Sequence, residues 1–285
     1  MTKPKIGLGQ ASLLCQRSAK EQMCLLAEGL PIILASASGF WDASQKLDNM
    51  CRERDVLVQH AEEEAAKILI LMDMVRCPEK MRSSKTGNII AGFYAHLARL
   101  IYARATSWRP TDINELREYV DDTRCSHYRE GYLGEYILPN QEITNRECKL
   151  YADIEANEDG YLVWNTPQGN KHSFSTYKPN ALQVTEAMSA LGMLKFEGLH
   201  TIAEVWNELE FKDIQGPSDN RQLTRRLLGK IMEKNLHESH AEQEHVEIIY
   251  NFWQMPMYNL DFGLINVPLE KLQEEREVQF WAETV

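Results

Sequence analysis

The chain has 285 residues, of which 31 are Lys or Arg and 42 are Asp or Glu, for a formal net charge of −11. A balance this acidic excludes indiscriminate binding to nucleic acid or to an anionic membrane, because neutralising phosphate needs a broad basic face; a local basic site stays open. Six cysteines without a C-x-x-C pair exclude a zinc ribbon and a disulfide framework, and fit reduced thiols in a cytoplasm. The first ten residues hold no apolar leader core, and the apolar run at 68–75 is interrupted by Asp73, so a soluble cytoplasmic protein with no membrane partner is expected.

In chain order, residues 11–47 predict two consecutive helices with a break at Gly29-Leu30-Pro31, since proline inside a helix removes a hydrogen bond and clashes one turn back. Residues 47–75 read as one long helix ending before Pro78. SSKTGN at 83–88 reads as a loop, followed by a helix from Ile89 to Ser107 and another from Pro110 to Tyr128. From Gly131 to Tyr177, glycine, proline and asparagine cluster around short aromatic stretches, which predicts turns and one or two short strands. Helices resume near Pro179 and Leu199, and Gly216-Pro217-Ser218 precedes a long last helix over 219–253. A short surface helix is expected over 269–283.

The fold class expected is all-α, a multi-helix bundle with a short irregular, β-containing insertion. A single domain over 1–285 comprises an N-terminal helical bundle at 11–128, an irregular segment at 129–178 and C-terminal helices at 179–285.

Between Arg76 and Arg109, seven basic side chains face one acidic residue, Glu79. Arg76, Arg82, Arg99 and Arg104 are therefore candidates for RNA binding, the alternative being a solvated face of one helix and its loop. In AEEEAAK, Glu63 is either paired with Lys67 one turn on, or Glu63 or Glu64 points inward to orient an arginine or histidine of another helix. His96 and Arg99 lie one turn apart beside the apolar stripe of Phe93, Leu97 and Leu100.

Metal-free RNA cleavage needs a cation for the charge that develops on phosphorus and an acceptor for the 2′-hydroxyl proton. Arg146, with Tyr151 and Asp153, offers the cation and a hydrogen-bond donor; the same residues can equally pin an irregular segment to the bundle. Tyr161, Trp164, Phe174 and Tyr177 are a candidate partner-binding set, because aromatics are enriched at binding hot spots. Glu233, His237, His240 and Glu244 share one stripe if the last helix is continuous, and are weighed as metal ligands against a solvated flank. No phosphate-cradling glycine loop or hydrolase elbow is present, and no cofactor is expected.

Taken together, the LLAEG stretch, the AEEEAAK helix, FYAHLARL, RECKLYADI with DGYLVWNTP, AMSALGMLKFEGLHTIAEVW and NFWQMPMYNLDF resemble the AbiV family of bacterial abortive-infection proteins, within the HEPN group of helical bundles. The resemblance implies a HEPN-like all-α bundle, a homodimer, and phage defence triggered by a phage-encoded protein, with host RNA metabolism or translation as what is arrested. It also implies a metal-independent ribonuclease, in which Arg146, Tyr151, His96 and Glu63 are the catalytic candidates. The chain departs from the Arg-x4–6-His motif of that group, since the spacing from Arg146 ends on Tyr151. One literal match, Arg54-x5-His60, lies on the AEEEAAK helix. A non-enzymatic sensor or inhibitor that binds a phage or ribosome-associated protein through Trp164 and Tyr161 is the second reading.

Overall fold

The computed structural model describes residues 8–48, 51–131, 134–138, 140–156, 161–167, 177–207, 217–268, 271 and 274. Its framework is helical, with α1 at Leu8–Cys15, α2 at Ala19–Ser44, α3 at Arg52–Arg76, α4 at Glu79–Tyr94, α5 at His96–Ala105 and α6 at Ile113–Thr123. Two hairpins flank α7 (Gln141–Leu150): β1 (His127–Gly131) with β2 (Gly134–Leu138), and β3 (Asp153–Ala156) with β4 (Leu162–Asn165). The remaining helices are α8 (Asn180–Ala190), α9 (Phe196–Trp206), α10 (Pro217–Glu233) and α11 (Gln243–Phe252). The all-α expectation holds for this framework; four short strands, where one or two were expected, lie between His127 and Asn165 and begin just ahead of the insertion expected at 129–178.

α3 is the axis on which the others pack. Its second half, Ile68 to Arg76, is buried on every side, against α2, α5, α8 and α9. A helix apolar all round belongs in the centre of a core, and the run ILILMDMV is that pattern. One continuous core joins Leu30 and Trp41 of α2, Ile68 and Met72 of α3, Leu182 of α8 and Trp206 of α9. The segments 11–128 and 179–285 therefore share a core.

Five features differ from expectation, each for a physical reason. α2 runs unbroken through Pro31, which stands on the exposed face while Leu26, Leu30 and Ala37 anchor both halves. Its start is set by a capping box, Ser18 with Glu21. At 26 residues it is also long and apolar enough to cross a membrane by length and composition, which residues 68–75 alone are not.

Residues 83–88 lie inside α4 rather than in a loop. Arg82, Thr86, Ile89 and Ile90 form one buried stripe, and the Thr86 and Ser84 hydroxyls bond back to the carbonyls of Arg82 and Met81. The helix expected from Ile89 to Ser107 breaks at Ala95, whose extended backbone separates α4 from α5.

α7 is a helix where only turns and strands are expected. Asn140 starts it, accepting from the N–H groups of Glu142 and Ile143 and donating to the carbonyls of Thr123 and Cys125, so the cap is tied to the end of α6.

The long last helix is two helices. Asn235 takes a left-handed φ of 51°, and the connection folds back over α8, where Glu238 N–H donates to Ala190 O. It passes so near Gly192 (φ 71°) that a Cβ there would lie 2.0 Å from Leu236 O. Phe174 and the helix expected over 269–283 fall outside the described residues, apart from Lys271 and Glu274.

Candidate functional site

α3, α5 and α7 bring three of the four catalytic candidates to one point. Glu63 of α3 is 3% exposed and faces inward, so the ion pair on that turn is Lys67 with Glu64 instead. Arg146 Nε of α7 donates to Glu63 Oε1 at 2.7 Å, and His96 Nδ1, at the first residue of α5, lies 2.7 Å from Oε2. Arg99 adds a Nη1 contact at 3.6 Å to Oε2 while its Nε donates to Phe93 O at 2.8 Å.

Local sequence dictates this convergence. Ala61, Ala65 and Ala66 let α3 approach its neighbours closely around Glu63, and the break at Ala95 puts His96 and Arg99 on the first turn of α5. The Asn140 cap sets the phase of α7 so that Arg146 is its one buried residue.

The electrostatics follow from the partners. Burial opposes ionisation of Glu63, yet the hydrogen bonds from His96 and Arg146 outweigh it and hold the carboxyl below its usual 4.5. A carboxylate only accepts, so the proton in the His96 bond belongs to Nδ1, which leaves Nε2 as the ring nitrogen for proton exchange. The imidazole is half exposed, whereas the two guanidiniums are mostly buried. Two guanidiniums around one carboxylate leave a surplus of positive charge beside an accessible imidazole. Next along α3, burial pushes Glu62 up to about 7, with Lys149 opposing the shift and Glu142 and Glu63 adding to it.

Tyr151 stands apart from this group. It follows the last residue of α7, is half exposed, and no hydrogen bond joins it to Glu63, His96 or Arg146 among the described residues. Asp153 lies in β3, paired with Asn165 across the hairpin.

The four arginines expected to form an RNA-binding face do not share a surface. Arg76 is 3% exposed, bound to Asp73 and to Gln254 O, with its guanidinium 5.0 Å from the Trp206 ring and 4.2 Å from that of Trp253. Arg82 is buried and donates to Cys77 O. Arg99 belongs to the Glu63 group, and Arg104 is exposed but paired with Glu142. The four arginines stand on three helices, α3, α4 and α5, and on each the 3.6-residue period decides which position faces the core.

The Glu233, His237, His240 and Glu244 stripe does not form, because the helix ends at Glu233 and resumes at Gln243. Among the described residues no group of three or more His, Cys, Asp or Glu is placed to hold a metal ion. Arg54 and His60 also part company: Arg54 is buried, and His60 stacks on Phe40 with ring centroids 5.4 Å apart.

Sequence reasoning missed a second polar centre on α3. Asp73 is fully buried, with Oδ1 accepting from Arg76 and Oδ2 accepting from the Tyr102 hydroxyl at 2.7 Å and from Met257 N–H at 2.6 Å. The available signal was an acid and, three residues on, an arginine within an otherwise apolar run.

The aromatic candidates are exposed where described. Trp164 is 73% exposed on β4, opposite Ile154 of β3, and Tyr161 and Tyr177 are exposed as well.

The class defined here is a helical protein with a buried carboxylate that gathers a half-exposed histidine and two arginines from neighbouring helices. No protein-family model, curated protein or solved structure matches the chain.

Proposed function

We propose that the chain is an abortive-infection effector of the AbiV and HEPN kind, and that the Glu63, His96, Arg99 and Arg146 centre is its RNA-cleaving site. The observation that supports this reading is the convergence of a carboxylate, an imidazole and two guanidiniums from α3, α5 and α7, with the imidazole open to solvent.

In the reaction, His96 Nε2 takes the proton of an RNA 2′-hydroxyl as its oxygen attacks the adjacent phosphorus. Arg99 and Arg146 offset the charge that grows on the phosphoryl oxygens. The 5′-oxygen leaves with a proton returned from His96, giving a 2′,3′-cyclic phosphate and a 5′-hydroxyl. Glu63 holds the tautomer and orientation of His96 and the position of Arg146, a role separate from contact with RNA. Tyr151 has no place in this scheme.

The test compares cleavage of total cellular RNA by wild type, His96→Ala and Arg146→Ala, with and without an extract of phage-infected cells. Loss of cleavage in His96→Ala at unchanged helicity supports the site. RNA profiles identical for all three proteins reject it.

A second reading, a non-enzymatic sensor of a phage or ribosome-associated protein, is favoured by one feature, the exposed Ile154 and Trp164 pair on the β3–β4 hairpin with Tyr161 beside it. On this reading a stable partner co-purifies with wild type from infected cells and is lost in Trp164→Ala, while RNA stays intact with both proteins.

A further inference from the structure

A cavity of about 190 Å³ lies where the stretch between α5 and α6 meets the start of α10 and the end of α11. Trp108, Tyr250 and Trp253 give it aromatic walls, Arg109 and Arg221 are exposed cations in its lining, and no acidic residue lines it among the described residues. In a chain of net charge −11 this is a local reversal of sign.

The arginines are held by rings. Arg109 donates to the Trp108 carbonyl at 2.7 Å, and its guanidinium is 5.0 Å from the Phe252 ring. Arg221 lies 5.8 Å from the Tyr250 ring, and Arg225 lies 5.7 Å from the same ring while donating to its hydroxyl at 3.1 Å. Stacked in this way, a guanidinium keeps donors for an incoming anion that a carboxylate partner would have taken.

The lining also holds an unsatisfied acceptor. Asn220 is 6% exposed, and its Nδ2 donates to Trp253 O at 3.3 Å, which orients the amide and leaves Oδ1 without a donor. A buried carbonyl in that state carries a standing cost that a ligand N–H removes. The Trp253 wall is fixed from the core, since Arg76 lies 4.2 Å from its ring and donates to Gln254 O at 2.8 Å, although neither Asp73 nor Arg76 lines the cavity.

From these observations we infer that the cavity is a nucleotide-binding site. An adenine or cytosine base enters against the aromatic walls, its exocyclic amine donates to Asn220 Oδ1, and the phosphate stays outside on Arg109 and Arg221. Uracil carries a carbonyl where cytosine carries that amine, so it leaves Oδ1 unpaired. The size agrees: a cavity of ~150 Å³ takes up benzene, so about 190 Å³ admits one base and excludes the sugar and phosphate. A simple anion would leave the rings and Asn220 unused, and an apolar ligand would leave the arginines unused.

The site is distinct from the Glu63 centre. Arg76, which holds the Trp253 wall, stands about 20 Å along α3 from Glu63. An RNA strand held here is anchored away from the bond cut in the proposed function. The inference rests on that function only for the strand as the source of the nucleotide, since binding is read without cleavage.

The test is fluorescence anisotropy of the full chain with a labelled 2′-O-methyl octaadenylate, which has no 2′-hydroxyl to attack phosphorus and so reads binding whether or not the Glu63 centre cuts RNA. Wild type binds it at about 50 mM salt, and binds the matching octauridylate about tenfold more weakly. Arg109→Ala and Arg221→Ala weaken both probes alike, and each lowers the slope of log affinity against log salt by about 1. Asn220→Leu, at an unchanged melting midpoint, removes the preference for adenine and leaves octauridylate binding as it was. Competition by AMP at the concentration of the octamer identifies a free nucleotide as the source, and competition by the octamer alone identifies a strand; either supports the site. Absence of octaadenylate binding by wild type overturns the inference. So does binding that survives Arg109→Glu and Arg221→Glu combined, two exposed changes that leave the fold intact, or an equal affinity of wild type for the two probes.

Discussion

Two buried carboxylates stand ten residues apart on α3, each gripped by an arginine, and they differ in what surrounds the pair. Asp73 has no exposure; its arginine is enclosed by Trp206 and Trp253, and its remaining acceptor sites are filled by Tyr102 and by the backbone of Met257. The carboxylate, its arginine and the Tyr102 hydroxyl all find their partners within the chain, so the centre serves to hold things together. It ties the C-terminal segment and α5 to the core helix. Glu63 is nearly as buried, but one of its partners is a histidine with half its surface in water, and a second arginine leaves positive charge in excess. Similar ion-pair chemistry is closed at one end of α3 and open at the other, and the open end is where a ligand can be met.

The contrast can be broken most severely at Asp73. Asp73→Ala strands Arg76 in the core and leaves Met257 N–H unpaired, so the chain loses about 3–5 kcal/mol of stability, read as the shift in a urea unfolding midpoint.

Glu63→Gln costs less, roughly 1.5–3 kcal/mol at neutral pH, because a half-exposed histidine recovers its hydration when the carboxylate is gone. The sign of its pH dependence is specific. Glu63 is held below 4.5 in the folded chain, so its contribution is present above the unfolded value and is lost as pH falls through the folded one. Unfolding curves of wild type and Glu63→Gln therefore converge in acid, below the folded value, and are fully separated once the pH is above about 4.5.

Glu62 behaves oppositely. Its folded value, up to about 7, exceeds the ordinary 4.5, so the folded chain holds a proton that the unfolded chain has released between those values, and stability falls across that window. Glu62→Gln is then more stable than wild type by about 1–2 kcal/mol at pH 8 and equal to it below pH 4.5, by the same urea measurement.

The smallest stability effect belongs to His96→Ala, within about 1 kcal/mol. On the proposed function it abolishes RNA cleavage while the melting temperature scarcely moves. A large drop in melting temperature would make the Glu63 centre a structural clamp like that of Asp73.

Much of this was legible in the residues, and the failures share a cause. The long α3, α6 with its Asp112 cap, and α8 follow from apolar spacing and start signals. Glu63 was readable as an inward-facing acid, His96 as a polar group beside an apolar stripe and Arg146 as the cation of an irregular segment, although 83 residues separate Glu63 from its arginine. Pro31 and SSKTGN misled because burial of neighbouring side chains outweighed a local preference for breaking the helix. The basic run misled because composition counts charges without giving their direction: Arg76 and Arg82 face the core, and Arg104 faces solvent. The Glu233 to Glu244 stripe failed because the backbone reverses at Asn235, a turn imposed by packing over Gly192.

By itself, the sequence determined that this chain folds mainly as helices, since the period of its hydrophobic residues and its capping residues are local properties. Only the tertiary structure decided which charges meet. The partners of Glu63 come from α5 and α7, and their meeting depends on how three helices pack, so spacing along the chain could nominate those residues but could not join them.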